Sequence, residues 1–162
     1  MNLAIGAPTW LAMLFAALLV VAALEDVWRL RISNWICATI IVAAFVAVVV
    51  AGPVADLWQN VVVFGGLLAV GTPLFAYGKM GGGDVKLLAA TGLWFDLAGA
   101  GRMIVAVMLA GGVVAIVVLI LRAFKWRPEA RQRVAILRIK GGIPYGVAIA
   151  GGALATLALG RG

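Results

Sequence analysis

Six carboxylates, Glu25, Asp26, Asp56, Asp84, Asp96 and Glu129, are the side chains of this 162-residue sequence best suited to acid–base chemistry. The chain contains no histidine and a single cysteine, Cys37, so it cannot build a Ser-His-Asp or Cys-His nucleophile, a histidine-ligated zinc or a four-cysteine metal site. A reaction that needs neither metal nor other cofactor is therefore expected, and it falls to the carboxylates. Two of them stand at the edges of long apolar stretches among positive residues: Asp26 just before Arg29 and Arg31, and Asp84 between Lys79 and Lys86. Glu25 adjoins Asp26, but successive helical residues point about 100° apart, so only one of the two faces a given neighbour. Asp96 stands 12 residues beyond Asp84, about 18 Å along a helix, which puts it toward the opposite face. Asp56 falls in the turn between two apolar stretches.

Four of the six residues before Asp84 are glycine, at Gly78, Gly81, Gly82 and Gly83, a backbone that bends freely and can be approached closely. The segment lacks the Gly-Lys-Ser/Thr ending of a phosphate loop and the oxygen ligands of a calcium loop. Helix capping is the structural alternative for Asp84, since aspartate is a favoured N-cap. If Asp26 and Asp84 come within a few ångströms, like charge disfavours double ionisation and the pair holds one shared proton. One carboxylate then draws a proton from a water while its protonated partner donates to a carbonyl, with no covalent intermediate.

The elements that must position these residues are membrane helices. The chain is 65% hydrophobic and 12% charged, with a mean hydropathy of +1.17, far from the balance of soluble domains. Residues 1–24, 32–55, 57–78, 103–121 and 141–160 carry no charge, and each stretch is long enough to cross a bilayer. The segment after Asp84 is weaker, interrupted by Lys86 and Asp96. Parity resolves it, because positive residues collect in cytoplasmic loops. The clusters at Arg29–Arg31, Lys79–Lys86 and Arg122–Lys140 share one side only if that segment crosses. We therefore expect an all-α protein of six transmembrane helices, at about 5–27, 33–52, 56–77, 84–100, 102–122 and 143–160, in one domain with both termini extracytoplasmic. The basic loop 122–142 lies in the cytoplasm and contains a short interfacial helix over 127–140. No Lys or Arg precedes the first apolar stretch, as a secretory signal would require, so the first helix is expected to be retained. The net charge of +7 is spread along the cytoplasmic rim, which suits orientation and anionic lipid headgroups and not nucleic acid.

Three segments, in order along the chain, carry a family likeness. Gly81-Gly82-Gly83-Asp84 satisfies Gly-x-Gly-Asp, the signature of intramembrane aspartyl proteases. Asp26-Val-Trp-Arg-Leu-Arg-Ile-Ser-Asn34 resembles the first aspartate motif of the type IV prepilin peptidases, and Ile143-Pro144-Tyr145-Gly146 resembles their final segment. Ser33 stands where that family usually has proline, and the cysteine-rich methyltransferase domain of its bifunctional members is missing, so the chain is similar to the short form associated with tight-adherence pili, or to its archaeal preflagellin relatives. Presenilin-like proteases share Gly-x-Gly-Asp, but their Tyr-Asp and Pro-Ala-Leu motifs do not occur here. The resemblance implies an aspartic endopeptidase of the inner membrane with Asp26 and Asp84 catalytic and facing the cytoplasm. Gly81, Gly83, Lys86, Asn34, Pro144 and Tyr145 are then supporting residues. Its implied partner is a prepilin with a basic leader and an apolar helix, cut at their junction. Two other classes fit the composition: a small proton-coupled transporter, whose acids would lie near the membrane midplane, and a non-catalytic secretion-system subunit indifferent to loss of both aspartates.

Overall fold

Residues 1–52, 56–124 and 142–161 are described by a computed structural model of the chain. They form seven helices and no strand: α1 (Leu3–Gly6), α2 (Thr9–Arg29), α3 (Asn34–Ala51), α4 (Leu57–Ala76), α5 (Gly82–Gly92), α6 (Leu97–Ala123) and α7 (Tyr145–Arg161). Helices suit such a composition, because hydrocarbon offers no hydrogen bonds and each segment must satisfy its own backbone. Helices α2, α3, α4 and α6 are each long and apolar enough to cross a membrane, and α7 is a shorter apolar helix. Val49, Met108, Leu109, Val113 and Leu119 point outward, an arrangement unfavourable in water and harmless against lipid. The chain is a multi-pass membrane protein. The interfacial helix expected over 127–140 and most of the basic loop 122–142 lie outside the described residues.

Two expected spans are divided. The segment read as 5–27 breaks at Pro8, which cannot donate to a preceding carbonyl and stands at the start of α2. The short α1 before it is held by Arg161, whose guanidinium donates to Ala4 O at 2.8 Å and Ala7 O at 2.6 Å. The segment read as 84–100 stops at Gly92, and Leu97 already begins the next helix. Asp96 explains the restart: its side chain accepts from Gly99 N at 2.7 Å and caps α6. The intervening turn buries Trp94 and Phe95 completely. Trp94 stacks on Phe15 of α2 with ring centroids 4.3 Å apart, a contact worth about 1 kcal/mol beyond area burial, and donates from its indole to Ile40 O of α3 at 3.1 Å.

The 11 residues of α5 reach about 16 Å, roughly half the hydrocarbon thickness. It is thus a short inner helix enclosed by longer ones, and the close packing is set by small residues. A Cβ at Gly71 of α4 would stand 2.6 Å from Val85 Cγ1 of α5, and one at Gly152 of α7 would strike the backbone of Val107 in α6. Gly71 therefore marks a helix contact; α4 continues through it and through Pro73 to Ala76. Arg161 meets α1, and the Met1 ammonium donates to Asp56 O at 3.3 Å, so both chain ends lie at one end of the bundle. Asp26 and Asp84 lie at the other.

Candidate active site

Asp26 is delivered by the last turn of α2. The helix ends there because Leu30 takes a left-handed conformation (φ 50°, ψ 39°), with its N–H on Asp26 O at 2.8 Å. The Asp26 side chain is 3% exposed, and a carboxylate so buried needs donors. One comes from the far end of the sequence: Gly146 N donates to Asp26 Oδ2 at 2.7 Å, across 120 residues. Gly146 lies in the first turn of α7, where backbone N–H groups have no helical acceptor and the helix dipole favours negative charge. Pro144, buried immediately before α7, starts that helix without wasting a donor.

Asp84 is delivered by the glycine loop. Gly81 is the N-cap residue of α5, and Asp84, half-buried in the first turn, folds back toward it. A Cβ on Gly81 would stand 2.6 Å from Asp84 Oδ2, so the carboxylate occupies space that only glycine leaves open. Asp84 lies close enough to Asp26 for their charges to repel. With a backbone donor of a third helix on Asp26, two acids from different helices thus stand side by side. They line an open cavity of about 330 Å³ together with Arg31, Ile32 and the three loop glycines. Gly83 packs on the α2–α3 turn: its Cβ would lie 3.2 Å from Ile32 Cβ and 3.3 Å from the Ile32 backbone.

The remaining supporting candidates separate. Lys86 is exposed and donates from Nζ to Asn34 Oδ1 at 2.9 Å, tying α5 to the start of α3. Asn34 is the first residue of α3; the cap is Ser33, whose Oγ accepts from Trp35 N at 3.4 Å. Tyr145 is exposed where α7 begins, whereas its neighbour Gly146 bonds Asp26. Gly146 went unselected among the expected site residues, although a glycine in a first helical turn after proline is a feature that asks for a packing reason. Asp56 and Asp96 stand at the starts of α4 and α6, away from the pair. The arrangement can hold a water between two carboxylates and feed a proton to or from it.

The type IV leader peptidase family model matches residues 13–120, a stretch that includes both aspartates and the glycine loop. No curated protein and no solved structure gives a significant match.

Proposed function

The chain belongs to the type IV leader peptidase family, and from that premise we propose that it is an aspartic endopeptidase that removes basic leaders from prepilin-like precursors. The observation that carries this reading is that Asp26, held by the Gly146 N–H, and Asp84 line one cavity. In the proposed reaction the ionised carboxylate takes a proton from water, the oxygen attacks the scissile carbonyl, and the protonated partner donates to the carbonyl oxygen. Collapse of the tetrahedral species breaks the C–N bond, and the amine leaves with a proton returned through the pair. Asp26 and Asp84 exchange acid and base roles over a cycle, so neither holds one permanently. The Gly146 N–H orients Asp26 throughout, and the glycine loop lets peptide backbone approach Asp84.

The substrate is a precursor whose positive leader stays in the cytoplasm and whose apolar helix lies in the membrane, cut at the junction. This places the aspartate end of the bundle at the cytoplasmic face of the inner membrane, with six crossings and both termini outside. Purified protein mixed with such a precursor should release the leader at that junction, read by mass spectrometry of both fragments; an uncut precursor would overturn the reading. Orientation is tested separately. Cysteines placed at Asp56 and Gly101 should react with an impermeant reagent from outside intact cells, and one at the exposed Tyr77 should not. Outside labelling of position 77 would reverse the orientation.

A further inference from the structure

Among the described residues, Glu25 is the one acid at this end of the bundle that the proposed chemistry leaves unused. Its Oε2 accepts from Ser33 N at 2.8 Å, a contact that closes the α2–α3 turn over eight residues. The ion pair with Arg29, at 3.7 Å and with the guanidinium largely in solvent, orders Glu25 far less. The turn needs closing, because Leu30 is the only described non-glycine residue at positive φ, a conformation disfavoured for a branched side chain. Between Leu30 and Ser33 stands Ile32, buried, with Gly83 against its backbone. Its Cδ1 lies 2.9 Å from where a Gly146 Cβ would be. Ile32 is therefore the wedge that touches both the glycine loop of Asp84 and the α7 start that holds Asp26.

Building on the peptidase reading, we propose that Glu25 is a positioning residue: by latching the Ser33 N–H it seats Ile32 between Gly83 and Gly146 and so keeps the two aspartates in register. Ser33 has φ −66°, the angle a proline ring imposes. A proline there would stiffen the turn by itself and has no N–H for Glu25 to hold.

A mutant cycle on the purified full chain in detergent tests the proposal, using cleavage of a basic-leader precursor and amide exchange of the segment containing Ser33. Glu25→Ala should lower kcat about tenfold with KM little changed, and should speed exchange at Ser33. Glu25→Gln, whose amide oxygen still accepts, should keep the wild-type rate, exchange and pH profile. Ser33→Pro should stay active, and adding Glu25→Ala to it should cost nothing further. Equal losses from Glu25→Ala in the serine and proline backgrounds, a Gln variant as slow as the Ala variant, or a Glu25→Ala chain with unchanged rate and exchange would each overturn the latch. If Glu25→Ala does not accumulate, the Gln variant and the double variant carry the same decision. The exchange measurement requires no cleavage, so a chain that protects Ser33 through Glu25 yet cuts no precursor counts against the peptidase reading and leaves the latch standing.

Discussion

The two ends of the bundle each hold two aspartates, and they use them differently. At the end shared by the chain termini, Asp96 turns onto Gly99 N three residues away, and Asp56 occupies the start of α4. Asp96 has a local role, capping the helix it begins, whereas the Asp56 side chain makes no cap bond. At the other end Asp26 accepts from a helix 120 residues away, and Asp84 lines the same cavity. The lesson is that residue type and helix-end position do not separate a cap from a candidate catalyst. What separates them is whether the carboxylate meets a second acid carried by another helix.

The sharpest way to break this comparison is to neutralise all four. Asp26→Asn or Asp84→Asn should reduce leader removal by about a thousandfold or more, because an amide cannot take part in a shared-proton cycle. Asp56→Asn and Asp96→Asn should keep near wild-type rates, with protein abundance followed in every case. Full processing by either Asp26→Asn or Asp84→Asn would end the aspartic reading.

A smaller effect is expected from the donor. Gly146→Ala places a Cβ 2.9 Å from both Asp26 Oδ2 and Ile32 Cδ1, and a displacement of that kind should slow cleavage by about a hundredfold. Gly101→Ala, at the other end, meets nothing within 4 Å and should leave the rate unchanged.

Conditions should sharpen the contrast further. A pair needing one protonated and one ionised carboxylate loses activity in acid, where both are protonated, and in alkali, where both are ionised. The rate should trace a bell whose limbs belong to the pair; a single sigmoid would mean that one acid suffices. Added chelator should not alter the curve, since a chain with no histidine and one cysteine offers poor metal ligands. The smallest effect should come from the capping end. Asp96→Ala should cost about 1 kcal/mol of stability while Asp96→Asn, still a good cap, costs little, read as thermal midpoints in detergent.

Much of this was legible without coordinates. Uninterrupted apolar stretches announced membrane helices, and acids at their charged edges singled out Asp26 and Asp84 as candidates. The break at Gly92 was not legible, because hydropathy averages over a window and Trp94 and Phe95 are as apolar inside a turn as inside a helix. Nor was the partner of Asn34 legible: Ser33 caps α3, and Asn34 turns to Lys86 across 52 residues.

The amino-acid sequence by itself determined the solvent of this protein, the scarcity of chemistry-bearing side chains and the short set of acids from which a catalytic pair can be drawn. Those properties are sums over residue types or patterns within one helix length, and they hold in any fold. The tertiary structure alone decided that α7 supplies the donor to Asp26, that Ile32 is wedged between two glycines and that Glu25 holds Ser33. Each of these depends on approach distances below about 3.5 Å between segments far apart in the chain. Such distances are set by which side chains are small enough, or absent, where helices cross, and no one-dimensional spacing encodes them.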